Sequence, residues 1–199
     1  MKLAEYLANS FSREEIISDE DKEIIRFGLE SIEGDLLGCI LVFVIGISFG
    51  HVLEAIFLWI GLFLLRKNAG GFHATTKSGC IFVSAIMIIL AFFIFVSFDH
   101  SMFFYSLCVA ITGSVIWLIA PIDNPVKRLD PIGYKVFKKR SRVILCVEGM
   151  LFVLAVHFQW ITLVRSTAMV FSVVLISLLL GMVKNARMHI PIRQENDST

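Results

Sequence analysis

The sequence predicts an all-α polytopic membrane bundle: about six transmembrane helices behind N-terminal amphipathic helices, with both termini cytoplasmic. Three observations predict it. The 199 residues are 57% apolar and 18% charged, with a mean hydropathy of +0.80, against about 45–50% and 25% for soluble domains. The apolar residues fall in long runs separated by charged clusters. The connections between those runs alternate between rich in Lys and Arg and free of them, which is the pattern that orients a membrane protein. Net charge is +1, a total that says nothing about nucleic acid, so the distribution of charge is what matters; no nucleic-acid partner is expected. Cys39, Cys80, Cys108 and Cys146 form no CxxC pair, which argues against a zinc site or a disulfide framework. No metal or organic cofactor is expected.

Residues 1–31 form the amphipathic start. Leu3, Tyr6, Leu7 and Phe11 recur near helical spacing, Ser12 with Glu15 fits a capping box, and Ser18 before Asp19, Glu20 and Asp21 reads as a second helix start. The bundle follows over 32–183. Leu36 to Leu65 is too long for one span, since thirty helical residues reach about 45 Å against a hydrocarbon core of about 30 Å. The run therefore divides near Gly50 and His51. The first span begins as early as Ile32, and the second ends at Arg66. The third covers Ile81 to Phe98, and the fourth Met102 to Ala120, stopped by Pro121. The fifth, Val143 to Phe158, is short and contains Glu148; the sixth is Ile161 to Val183. Residues 184–199 are a tail. A four-span arrangement with 36–65 as one tilted helix is the competitor.

The segment Pro121 to Arg142 holds seven Lys and Arg, residues 66–77 hold Arg66, Lys67 and Lys77, and the tail holds Lys184, Arg187 and Arg193. The opposite connections hold none. Six spans put every basic loop on the cytoplasmic side. The large basic loop has two open roles: topology with anionic lipid contact, or attraction of an acidic peptide.

Chemistry gathers in RKNAGGFHATTKSGC, between the second and third spans. Cys80 falls at the first turn of the third helix, where the dipole favours a thiolate and free N–H groups can hold an oxyanion. His73 lies seven residues earlier, about 10 Å away on a continuous helix. Gly70, Gly71 and Gly79 give the chain freedom to fold the imidazole back over the sulfur. A cysteine nucleophile with a histidine base is one reading; an interfacial histidine and a helix-packing cysteine is the other.

Arg66, Gly70-Gly71, His73-Ala74 and Cys80, set between two apolar spans, resemble the signature of the AgrB family, the membrane endopeptidases of bacterial quorum sensing. The resemblance runs along nearly the whole chain, including Phe27-Gly28-Leu29-Glu30 and Ala120-Pro121. It implies that Cys80 attacks an AgrD-like precursor peptide to form an acyl-thioester, with His73 as general base and then acid. It also implies ring closure to a thiolactone or lactone, a multi-pass cell-membrane location with the site facing the cytoplasm, and a homodimer. Arg66 and Gly71 match positions of the family pattern. Arg66 would bind an acidic substrate segment or hold the loop, and Gly71 would permit the turn. Glu30 orients the imidazole or the substrate, or simply faces water.

The remaining polar residues read as structural. Cys39, Cys108 and Cys146 sit in apolar runs as small hydrophobes. Glu54 and His51 make an i, i+3 pair that snorkels to the outer interface. Glu148 is within reach of Arg142 or Arg140. A small transporter using Glu54, Glu148 and His157, or a non-enzymatic scaffold that docks a peptide, are the rival functions.

Overall fold

The computed structural model describes residues 6, 21–72, 76–98, 100–122 and 131–187, and among these the chain forms six helices and no strand. The helices are α1 (Lys22–Ser48), α2 (Val52–Ala69), α3 (Lys77–Val96), α4 (Met102–Ile119), α5 (Pro131–His157) and α6 (Ile161–Arg187). The all-α bundle expected from the sequence is the observed one, and each expected span coincides with a helix. Four of the helices are long and apolar enough to cross a membrane: α1 from Gly28, α3 from Ser78, α4 and α6. The other two are more polar for visible reasons. Eighteen-residue α2 holds Glu54, Arg66 and Lys67. The first half of α5 carries Lys135, Lys138, Lys139, Arg140 and Arg142, and its apolar half contains Glu148.

The break near Gly50 is present. Gly50 takes φ +75, a left-handed conformation that suits glycine, and His51 precedes the first turn of α2. The acidic start and the first span are not separate elements, however. From Lys22 one helix runs on through Gly28, Gly34 and Gly38 to Ser48. A Cβ added at any of these glycines would meet nothing within 4 Å, so no packing contact breaks the helix there. The other expected amphipathic features (Leu3, Leu7, Phe11, Ser12, Glu15, Ser18) lie outside the described residues.

The chain divides into Met1–Leu41 and Val42–Thr199. In the first unit, α1 exposes Ile32, Leu36, Leu37 and Ile40, an apolar surface suited to lipid. In the second, α6 is the central helix and packs on α2, α3, α4 and α5. Its spanning window is 61% buried, whereas no other span exceeds 33%. The cause is side-chain size. Apolar burial alone does not drive helices together in lipid, so small residues that let backbones approach decide the packing. Gly61 of α2 meets Val170, Gly113 of α4 meets Phe171, and Gly181 of α6 meets Gly71. Ser166 and Thr167 donate their hydroxyl protons to the carbonyls of Thr162 and Leu163, at 2.8 and 2.9 Å, so they cost little inside the bundle.

Gly46 shows how tight one of these contacts is. A Cβ there would overlap the Ala55 Cβ. Gly46→Val is therefore expected to destabilise the α1–α2 turn by about 1–3 kcal/mol, lowering the thermal midpoint of the purified protein in detergent. Gly46→Ala combined with Ala55→Gly exchanges the methyl across the contact and is expected to recover most of that loss. A thermal unfolding series followed by size-exclusion chromatography measures both.

Candidate functional site

The α2–α3 connection is fastened at both ends. At its start, Gly70 ends α2 at φ +76 and forms an isolated parallel bridge with Ile122, whose N–H donates to the Ala69 carbonyl at 3.1 Å. A Cβ on Gly70 would run into the Ile122 carbonyl. Gly71 is buried at φ +137. A Cβ there would sit 2.5 Å from Ser177 Oγ, and one on Gly181 would sit 3.0 Å from the Gly71 carbonyl carbon. Gly70 and Gly71 are thus required by conformation and by contact. The next residue completes the fastening: the Phe72 N–H donates to the Ser177 carbonyl (2.9 Å) and to Ser177 Oγ (3.2 Å). The Lys184 ammonium sits 5.6 Å from the Phe72 ring centre.

Arg66, in the last turn of α2, is half-buried and ties the connection to α3. One guanidinium nitrogen donates to Ser84 Oγ and another to the Phe72 carbonyl, both at 3.4 Å. Of the two roles open to Arg66, holding the loop is the one these bonds describe. Ser84 stands one helical turn beyond Cys80, and residues four apart share a helix face. The guanidinium therefore reaches the Cys80 face of α3.

Thr76 caps α3, accepting the Gly79 N–H on Oγ1 at 3.2 Å. Cys80 is the fourth helical residue and a free, half-buried thiol. Its side chain inclines toward the helix start, as helical Cα–Cβ bonds do. Its own N–H is already used, donating to the Thr76 carbonyl at 3.1 Å. The N–H groups of Lys77, Ser78 and Gly79 have no acceptor one turn back in the helix; Thr76 Oγ1 takes that of Gly79, which leaves those of Lys77 and Ser78. An oxyanion beside the sulfur would draw on those two, not on the amide of Cys80.

His73 and Ala74 lie outside the described residues, and with them the distance from imidazole to sulfur. The structure brings Arg66, Gly71 and the Cys80-bearing turn to one end of the bundle. Glu30 is half-buried in α1 within the first unit. Phe72, Ser84, Ser177, Ile122 and Gly181 carry no local signal that would single them out in the sequence. Only the Thr76 cap has one, a threonine three residues before a glycine at the head of an apolar run.

Several expectations for the other polar residues are corrected. His51 Nδ1 and Glu54 Oε1 do pair at 3.2 Å, but Glu54 is buried at 6% exposure and does not snorkel; the Ser166 hydroxyl donates to its backbone carbonyl. Glu148 pairs with neither Arg142 nor Arg140. Both its oxygens are buried without a hydrogen-bond partner among the described residues, beside a cavity of about 180 Å3. Six residues along a helix turn through about 600°, which sets Arg142 on another face. Cys146 is exposed, not packed among helices. His157 is exposed at the end of α5. Among the described residues no group of three or more His, Cys, Asp or Glu could hold a metal ion.

The chain has recognisable relatives, although no solved structure matches it. It is 27% identical over 194 residues to an AgrB-like protein of Clostridium perfringens strain SM101, covering 90% of this chain and 86% of the relative. It is 28% identical over 162 residues to a second AgrB-like protein, from C. perfringens strain 13, covering 78% and 72%. Protein FsrB of Enterococcus faecalis strain OG1RF is 25% identical over 114 residues, covering 56% of this chain and 47% of the relative. The family model described as accessory gene regulator B matches residues 2–184, and the chain therefore belongs to the AgrB family of membrane proteins.

Proposed function

We propose that this protein is a cysteine endopeptidase of the cell membrane that processes an AgrD-like precursor peptide in quorum sensing, its site facing the cytoplasm. The observation that carries the reading is Cys80 on the capped first turn of α3, beside a connection that two glycines, Phe72 and Arg66 fasten in place. The fastening ends at Phe72, and His73 is the next residue in the sequence.

The chemistry proceeds in two steps. His73 takes the thiol proton, and the sulfur attacks a peptide carbonyl of the precursor; the Lys77 and Ser78 N–H groups stabilise the oxyanion. As the C–N bond breaks, the imidazolium returns the proton to the departing amine. The N-terminal part of the precursor stays on Cys80 as a thioester. A thiol or hydroxyl of that same part then attacks the thioester carbonyl as His73 takes its proton; the C–S bond to Cys80 breaks, a thiolactone or lactone forms, and the departing Cys80 sulfur recovers the proton from His73. Exclusion of water preserves the thioester for this second transfer.

A transport path through Glu54, Glu148 and His157 has no support in the geometry. Glu148 lines its cavity without the other two, and Glu54 is committed to His51.

The test uses the purified protein in phospholipid vesicles with the short peptide encoded beside its gene. The expected result is release of a C-terminal fragment, with a hydroxylamine-labile conjugate on Cys80 seen by mass spectrometry. Replacing Cys39, Cys108 and Cys146 together by alanine is expected to leave both intact. A conjugate on another cysteine, or no fragment at all, rejects the proposal.

A further inference from the structure

The basic residues of α5 do more than follow the loop before it. Lys135, Lys138, Lys139 and Arg142 stand at i, i+3, i+4 and i+7, so they share one helix face. They line a cleft of about 450 Å3 together with Trp117 of α4. The same face continues into the bundle as Val143, Cys146 and Val147, which also line the cleft. It changes from cationic to apolar along about 18 Å of helix.

Three details show what such a cleft accommodates. Among the described residues no acidic side chain lines it. Arg142 lies against Trp117, 4.9 Å from the ring centre, and its Nε is buried without a hydrogen-bond partner among the described residues. A buried guanidinium donor left unpaired carries a cost that an anionic oxygen would remove. Val143 and Val147 are 54% and 47% exposed, and in a bilayer that exposure faces hydrocarbon.

We propose that this cleft binds one anionic phospholipid, its phosphate on Arg142 and the α5 lysines and an acyl chain along Val143, Cys146 and Val147. The apolar continuation decides between an anionic lipid and an acidic peptide. A polar acidic segment satisfies the cations and leaves more than a turn of exposed apolar helix uncovered, whereas a phospholipid matches both parts in the right order. Basic clefts between transmembrane helices are suited to such headgroups. None of the lining residues belongs to the Cys80 connection, and the proposal does not depend on the proposed peptidase activity.

Trp117 supplies the readout. With Trp59 and Trp160 replaced by phenylalanine, Trp117 is the sole tryptophan, and bromine on an acyl chain quenches it only at close range. The full-length protein in phosphatidylcholine vesicles is titrated with brominated phosphatidylglycerol or with brominated phosphatidylcholine. A roughly tenfold preference for the anionic lipid is expected at low salt. The preference should fall to near parity in Lys138→Gln/Arg142→Gln, and also in Lys135→Gln/Lys138→Gln/Lys139→Gln, which keeps the Arg142–Trp117 contact. Lys67→Gln/Arg187→Gln removes the same charge as the first variant elsewhere and should retain it. Equal quenching by the two lipids overturns the proposal, as does equal loss in the control variant. Displacement by millimolar inorganic phosphate would show a soluble-phosphate site, and displacement by an oligoglutamate peptide an acidic-peptide site; either result also overturns it.

Discussion

Cys80→Ser is expected to lose at least about a thousandfold in precursor processing while the protein inserts and purifies as before. Removing a nucleophile that acts as a unit with its base costs on that scale or more. The reason lies in the local structure. A serine hydroxyl in the same place holds its proton far more tightly than a thiol and is the poorer nucleophile. The Thr76 cap and the Cys80 N–H bond to the Thr76 carbonyl involve no sulfur, so the fold has no cause to change. His73→Gln is expected to lose a similar factor, and the double variant little more, because two groups in one proton transfer are not additive. Fragment release per unit of folded protein, followed by mass spectrometry, measures all three. Full processing by Cys80→Ser would remove Cys80 from the mechanism.

Gly71→Ala is expected to reduce processing at least about tenfold without touching the thiol. The new Cβ would stand 2.5 Å from Ser177 Oγ on a residue at φ +137. Unfavourable backbone of this kind costs of order 1–3 kcal/mol, and the cheapest relief is to lift Phe72 from Ser177. The proposed base, His73, is the next residue in the sequence. Adding Ser177→Ala removes the overlapping oxygen and should recover part of the loss, since the backbone bond from Phe72 to the Ser177 carbonyl survives. The strain of φ +137 stays in the double variant, so recovery should be partial. Cys80 should still be labelled to completion by a small maleimide in both Gly71 variants. That separates displacement of the connection from damage to α3.

The extent of the helices was legible because a chain in lipid must satisfy its backbone within each segment. Apolar runs, basic flanks and the glycine at 50 therefore mark helices one at a time. The join at 22–48 was less legible. Acidic and apolar stretches look like two elements when read by composition, yet a continuous helix needs only the absence of a stop signal. Glu148 shows another limit: reach along the chain made Arg142 a partner, and helical geometry assigned the two residues to different faces.

Position along the chain alone determined the six helices, the capped turn that carries Cys80, and the concentration of Lys and Arg in alternate connections. Tertiary structure alone decided that α6 is central, that Phe72 bonds to Ser177 across 105 residues, that Arg66 bridges to Ser84, and that the α5 cations share a cleft with Trp117. The first set follows from local hydropathy and backbone hydrogen bonding. The second depends on which small side chains allow two helices to approach, and that is a property of pairs of distant residues.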